Sequence, residues 1–498
     1  PITTKFCIHV IRGVIPWMSY WVYWRWTHKR MLELGEMVPG PPQWPIIGNA
    51  YIFMANPKEQ LNILGGMLNK YGQYLRFWLG PDLNICVKNP SDIRMLLTSN
   101  KLNQKGPVYE FMKLFIGPGL LTGGPTWRSH RKIATPAYSK KAVHRFSKIF
   151  NKETQELLRA LTNKEPNTPF NIYDDILKCT TQCVCQTLMG LSKEDSMNIK
   201  NLDRVLLETP RFYSFIFKKM TRWWLQIPII YWLVGGKKKE ASYVELFHGM
   251  ISEIVEKRRK ALEMESNEDE DAMGVIDRFI LCGEMSEQEI KYETFTVFTT
   301  SQEASAKIAS AVLLFLSHLP DWQEKVYNEI IEVLGPNDDE VTDEQLKKLE
   351  YLDMVYKEAL RYLSIAALIQ RTVREEISIN DGKWTLPVGT SLAIPIHEIH
   401  RDPTHWEEPA KVMPERFLQE NVQRRDPNAF IPFSLGPMDC LGRVYATAII
   451  KTIVVRVLRH LRLEAWGPPP HELELHVAIS VKFADGYNVK VHPRINIH

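Results

Sequence analysis

Apolar residues recur along this chain with a period near 3.6. They predict helices over residues 142–164, 240–264, 288–318, 322–334 and 350–363, and a last apolar helix over 443–459. Thr342-Asp-Glu-Gln marks another helix start, with a hydroxyl N-cap and acidic side chains in the first turn. Short alternating or apolar runs predict strands at Leu75–Trp78, Asn84–Lys88, Ile377–Ile379, Thr390–Ile394 and within 477–492. Helices and strands do not alternate as βαβ units, so the expected body is mainly α with small β sheets. No internal repeat interrupts it. The acidic run Glu263–Asp271 reads as a solvated loop between two helices.

Two apolar stretches fit a membrane surface. Residues 6–26 (FCIHVIRGVIPWMSYWVYWRW) are rich in aromatic side chains and precede Lys29 and Arg30, but contain Arg12 and Pro16. Their uncharged run is short of the roughly 20 residues that span a bilayer. An interfacial anchor over residues 1–30 is the preferred reading, and a buried helix of the body is the alternative. A stiff proline-rich hinge, residues 31–49, would follow, then a single large domain over 50–498. The chain starts at Pro1 without a methionine, which reads as a processed or truncated start. A second patch, Trp223–Leu233 followed by Lys237–Lys239, suits either a dip into lipid or an internal helix contact.

Composition narrows the function class. The 498 residues carry 62 Lys and Arg against 58 Asp and Glu, a net +4 that gives no argument for nucleic acid. The seven cysteines are odd in number and scattered, as expected of reduced thiols facing the cytosol rather than a disulfide framework. No glycine loop suited to phosphate is present; Gly-Gly-Pro at 123–125 is too weak. Cys179, Cys183 and Cys185 lack a second ligand pair and read as core cysteines. His397-Glu-Ile-His400 does not have the spacing of a metalloprotease helix.

The chemistry concentrates in Phe430-Ile-Pro-Phe-Ser-Leu-Gly-Pro-Met-Asp-Cys-Leu-Gly442, which runs directly into the 443–459 helix. Cys440 lies where that helix begins, and the dipole and free N–H groups there are expected to lower its pKa. Gly436 permits the turn before it, and Gly442 removes a side chain where a flat ligand would approach. A soft thiolate presented in this way suits haem iron. The spacing Phe433-x-x-Gly436-x-x-x-Cys440-x-Gly442 should arise by chance in only roughly one such chain in a thousand.

This loop resembles the haem loop of the cytochromes P450, and the resemblance covers nearly the whole chain. Glu358-Ala-Leu-Arg361 is similar to the family's K-helix Glu-x-x-Arg, and Pro414-Glu-Arg416-Phe417 to the meander that supplies a third charge. The resemblance implies a buried network of Glu358, Arg361 and Arg416 under the loop. Trp127-Arg-Ser-His-Arg131 is similar to the C-helix Trp-x-x-x-Arg, whose i,i+4 spacing would turn both donors toward a haem propionate, and Arg371 occupies the place of a further donor. The closest flavour is the microsomal clan that includes the fatty-acid ω-hydroxylases.

Three departures from the family pattern bear on mechanism. Met438 stands where the family has a propionate-pairing arginine, leaving Arg131 and Arg371 to compensate. Glu303 falls on the family's I-helix acid, but Ala304 falls on the threonine after it, so Ser305 or a water would have to complete a proton relay. Thr300 replaces a glutamate that esterifies haem in some clan members, so no covalent link is expected. The prolines usual after the K helix are absent from Leu363–Ile369.

What the resemblance implies is a haem-thiolate monooxygenase with the P450 fold, holding haem b through Cys440. It would act on a hydrophobic fatty-acid-, hydrocarbon-, terpenoid- or xenobiotic-like molecule, at the cytosolic face of the endoplasmic reticulum membrane. Electrons would come from NADPH–cytochrome P450 reductase, with cytochrome b5 as an optional second donor. Substrate contacts are expected from residues 105–122, 208–215, 296–304 and 365–370. Two alternatives stay open: a haem-thiolate isomerase or dehydratase, which needs no relay at Ala304, and a haem-containing binding protein for hydrophobic ligands.

Overall fold

A computed structural model describes residues 19–165, 167–264, 273–337 and 339–494. The beginning of the aromatic segment, residues 6–18, and the acidic run from residue 265 onward lie outside the described residues.

The helices that bear on the site are α1 (Trp127–Ala134), α2 (Lys140–Thr162), α3 (Ile172–Thr187), α4 (Leu202–Thr221), α5 (Gly236–Met264), α6 (Glu287–His318), α7 (Glu350–Tyr362) and α8 (Arg443–His460); others run over Gln60–Tyr71 and Pro320–Leu334. Their starts follow local chemistry. Ser286 and Glu289 form a capping box on α6, Ser139 accepts the Ala142 N–H at the start of α2, and Thr342 with Gln345 caps the helix over Asp343–Lys348. α6 runs through the centre, packed on α3, α5, α7 and α8, and from Phe295 onward nearly all of it is buried. A helix buried all round cannot show an amphipathic stripe, which is why its two ends are read from its cap and from Pro320.

The main sheet contains β1 (Tyr74–Leu79), β2 (Asp82–Val87), β3 (Gln104–Lys105), β4 (Ile369–Thr372) and β5 (Ser391–Ile394), in the order β1-β2-β5-β4-β3. β2 and β5 are parallel and the other neighbours antiparallel. Small sheets form at Leu475–Val477 with Val481–Phe483, at Ile377–Ile379 with Trp384–Leu386, and where Asn488–Pro493 pairs with Leu461–Ala465 and Phe170–Asn171. This is the expected mainly helical domain with small sheets.

The N-terminal segment divides its two faces. In the helical stretch 19–27, Trp24 is buried and packs edge-on against Trp78 with ring centroids 5.8 Å apart, while Tyr20, Tyr23 and Trp26 are exposed. Residues 38–49 are strapped along β1: Arg76 N–H donates to the Pro39 carbonyl, and Asn49 and Trp78 exchange hydrogen bonds. Over the second apolar patch, Ile229, Trp232, Leu233 and Val234 are exposed and Tyr231 alone is buried. No helix among the described residues is long and apolar enough to cross a membrane.

Candidate active site

The loop before α8 is shaped by Gly436. Its φ is +77°, and a Cβ there would lie 2.2 Å from the Leu97 carbonyl oxygen, so no other residue fits. The Cys440 N–H closes the loop by donating to the Phe433 carbonyl at 2.8 Å. α8 starts at Arg443 with Gly442 as its N-cap, so Cys440 stands two residues ahead of the cap. Cys440 is exposed, although the groups around it desolvate its sulfur. A Cβ on Gly442 would meet only the Tyr138 ring, at 3.8 Å, so the protein itself leaves room beside the sulfur.

The electrostatics correct one expectation. Burial pushes the Cys440 thiol up, and the Asp439 carboxylate adds to this. The Gly442 N–H bonded to the sulfur, Arg443 and Arg131 pull the other way and do not overcome it. The protein alone therefore holds the thiol above its ordinary value. Helix position was a poor guide because the sulfur is desolvated before the helix begins.

Cations lie on the elements next to this loop. Arg131, one turn beyond the buried Trp127 on α1, donates to the Asp439 carbonyl at 2.8 Å and to its carboxylate at 2.6 Å, which ties α1 to the loop next to Cys440. Arg371 on β4 is 2% exposed and donates to the Gln370 carbonyl at 3.1 Å; no carboxylate pairs with it among the described residues. Lys105 on β3 stands opposite Arg371 in the strand register. Burial, Arg371 and Arg131 press its ammonium well below the usual lysine range, while the Cys440 sulfur attracts it. An exposed cysteine at the end of a fixed loop, with the buried Arg371 lacking a carboxylate partner and Arg131 beside it, fits a flat, dianionic, thiolate-ligated cofactor such as haem.

Behind the loop lies a network that needs nothing from outside. Glu358 accepts from Arg361 Nε and Nη2, both at 2.7 Å, and from the Met413 N–H at 2.8 Å. Arg361 also donates to the carbonyls of His400, Pro409 and Lys411. Arg416 Nε lies 3.4 Å from Glu358, an ion pair rather than a hydrogen bond, and its other nitrogens reach the carbonyls of Glu407 and Glu408. All three charged residues are buried. The expected network is present and holds the chain that leads into the loop.

α6 differs from the expected relay. On α6, Thr300, Ser301 and Ala304 are the residues left partly open within a buried stretch, at helical spacing that puts them on one face. The Tyr138 phenol feels both Ser301 and Cys440, which joins that face to the sulfur's surroundings. Glu303 is instead paired with Lys307 at 2.7 Å, and Lys307 also donates to Ser480 at 2.6 Å. Ser305 donates back to the Ser301 carbonyl at 2.8 Å. As corrections, Glu303 is committed to a buried ion pair and Ser305 to its own helix, while Thr300 and Ser301 are the hydroxyl residues on the open face, Thr300 bonded back to the Thr296 carbonyl. The helical phase of the small residues 300, 301 and 304 carried this signal.

The cysteines set aside earlier are core residues: Cys179, Cys183 and Cys185 are buried on α3. His400 bonds Ser364 at 3.0 Å and accepts the Ile431 N–H at 3.0 Å, a structural histidine. No group of metal-binding side chains occurs among the described residues. Lys105 was missed as a candidate cation because strand pairing, not local sequence, brings it beside Arg371.

A family model described as cytochrome P450 matches residues 38–485. Among similar proteins, cytochrome P450 4d1 of Drosophila melanogaster is 30% identical over 496 residues, covering 94% of this chain and 95% of that protein. Cytochrome P450 4c3 of the same organism is 28% identical over 509 residues, 96% of this chain and 93% of that one. Cytochrome P450 4V2 of Homo sapiens is 28% identical over 476 residues, 91% and 88% respectively.

Proposed function

From the premise that the chain belongs to the cytochrome P450 family and is a haem monooxygenase, we propose that Cys440 is the iron ligand, supplied with electrons by a flavoprotein reductase, and that the substrate is hydrophobic. The observation that carries this is the exposed Cys440 at the end of its glycine-shaped loop, with Arg131 tied to the neighbouring Asp439 and Arg371 buried without a carboxylate. When bound, haem supplies reductive activation of dioxygen and insertion of one oxygen atom into the substrate.

The chain's own residues then have distinct tasks. Phe433, Gly436 and Gly442 shape the loop that presents the sulfur, and the Gly442 N–H hydrogen-bonds it. Trp127, Arg131 and Arg371 orient the cofactor through its propionates. Glu358, Arg361 and Arg416 hold the loop's approach in place. Ala304 offers no hydroxyl on the open face, so a water at Ser301 takes the proton-delivery role there. Residues 105–122, 208–215, 296–304 and 365–370 form the substrate's surroundings.

The exposed apolar residues between Ile229 and Val234, with Lys237–Lys239 after them, support attachment to a lipid surface. We assign residues 1–30 to an anchor, 31–49 to the strap that sets its angle, and 50–498 to the haem domain, at the cytosolic face of the endoplasmic reticulum. The substrate class is that of the clan, fatty-acid-like or another hydrophobic molecule.

The test is turnover of a fatty-acid panel by the reconstituted protein with reductase. Product that requires both NADPH and O2 supports the reading. Conversion of an oxygenated lipid without either would assign the chain to the isomerases instead.

A further inference from the structure

We infer that Glu303, Lys307, Ser480 and Tyr487 form a polar pole of the substrate site, which selects a long hydrophobic molecule ending in a hydroxyl over one ending in a carboxylate. The inference rests on the proposed haem-thiolate site at Cys440 and its hydrophobic substrate. Three of the segments assigned to the substrate's surroundings meet here. Tyr213 comes from 208–215, and Thr299 and Glu303 come from 296–304. The turn carrying Ser480 is tied to 365–370, because the Val481 N–H donates to the Ile365 carbonyl at 3.0 Å. Lys307 stands one turn after Glu303 on α6, with its side chain 3% exposed. Its ammonium donates to Glu303 at 2.7 Å and to Ser480 at 2.6 Å.

This pairing leaves one acceptor and one donor over. Lys307 takes one Glu303 oxygen, and the other has the Ser480 hydroxyl at the long distance of 3.5 Å. Tyr487 is 2% exposed, and its hydroxyl has no hydrogen-bond partner among the described residues, although the Phe483 backbone acts on it. Glu303 acts electrostatically on the phenols of Tyr173, Tyr213 and Tyr487, so the three rings surround it. Burial first, and then that carboxylate, push each phenol up, so all three stay protonated. Tyr173 stacks on Tyr487 with ring centroids 5.6 Å apart, which fixes the unpaired hydroxyl. A ligand hydroxyl satisfies both ends, since it donates to the free Glu303 oxygen and accepts from Tyr487. A ligand carboxylate can only accept, and it sets a second negative charge beside Glu303. Lys307 is already neutralised. Lys482 also acts on it, but strand alternation puts Lys482 on the face opposite the buried Val481 and Phe483. Asp174 acts on Tyr173 and adds further negative charge.

The experiment is calorimetric titration of the holoenzyme at neutral pH with dodecan-1-ol and with dodecanoate, read as dissociation constants rather than as activity. Dodecan-1-ol should bind roughly tenfold or more tightly than dodecanoate, the effect of one hydrogen bond to a charged group. E303Q should reverse that order, because it removes the repelling charge and frees Lys307 for the ligand carboxylate. If E303Q does not fold, Y487F decides. It should weaken dodecan-1-ol several-fold without lowering the melting temperature, since the hydroxyl it deletes has no partner in the protein. Dodecanoate binding as tightly as dodecan-1-ol, or no measurable binding of either, overturns the inference. So does Y487F with unchanged affinity for the alcohol; a lowered melting temperature in that case assigns the hydroxyl to a structural water. The reduced CO band of the wild type keeps the two levels apart. Its absence removes the Cys440 reading, whereas a thiolate band without the preference for the alcohol removes the polar pole alone.

Discussion

Two charged regions flank the Cys440 loop, and they are built on opposite principles. Around Glu358, each guanidinium is answered within the protein: Arg361 by both carboxylate oxygens and three carbonyls, Arg416 by three carbonyls and the edge of the same carboxylate. Around Arg371, cations face one another with no carboxylate to match them. The first region is complete as folded and positions the chain. The second is the region proposed to take an anion. Buried charge marks scaffold in one place and the proposed ligand site in the other, and the accounting of partners distinguishes them.

The largest effect should come from breaking the complete region. Glu358→Ala leaves Arg361 and Arg416 buried without their carboxylate, at a cost of about 3–5 kcal/mol. Thermal denaturation followed by circular dichroism should show a folded state lost or strongly destabilised, with haem content falling as a consequence. A melting temperature within a few degrees of wild type would mean the carbonyls alone suffice.

The same region should respond to acid. His400, buried beside Arg361 and Arg401, has its pKa pushed down to about 3. A histidine whose folded pKa is depressed favours the folded state fully above its unfolded value and loses that contribution as pH falls toward the folded value. Stability should therefore decline between pH about 6.5 and about 3. His400→Gln should flatten that part of the denaturation profile, and an unchanged slope would remove His400 as the cause.

The incomplete region should behave differently. Arg371→Met should leave far-UV circular dichroism unchanged and weaken haem retention by about 1.5–3 kcal/mol, roughly ten- to a hundredfold in the transfer rate. Equal loss of fold and of haem would erase the distinction between the two regions.

Smallest of all should be Ser305→Ala, which removes a hydroxyl bonded only to its own helix. Stability should shift by no more than about 0.5 kcal/mol, and the ratio of NADPH consumed to product formed should stay near wild type. A large fall in that ratio would restore Ser305 to the relay.

Legibility in the sequence followed the range of the interactions. α2, α6 and α7 were found within a residue or two because caps and periodicity are local. α3 was read as a helix only through Cys179, Cys183 and Cys185, without bounds: its Thr- and Cys-rich turns give little polar contrast, and the helix is buried on most sides. α4 carries Pro210 inside it, which reads as a stop. β3 and β4 are short and exist through pairing between distant segments, so no local pattern announces them. In the site, the loop around Cys440 was legible because its glycines and cysteine sit in one short run. Lys105 was not, since its meaning comes from Arg371. The direction of the Cys440 pKa was not legible either, because burial is a property of the whole fold.

The most direct test of the account is the CO difference spectrum of the dithionite-reduced protein expressed in membranes, with Cys440→Ser beside it. The account predicts a strongly red-shifted Soret band, as thiolate ligation demands, in the wild type and its loss in the variant. A wild-type band at the position of thiol- or histidine-ligated haem, or no haem bound at all, would contradict it.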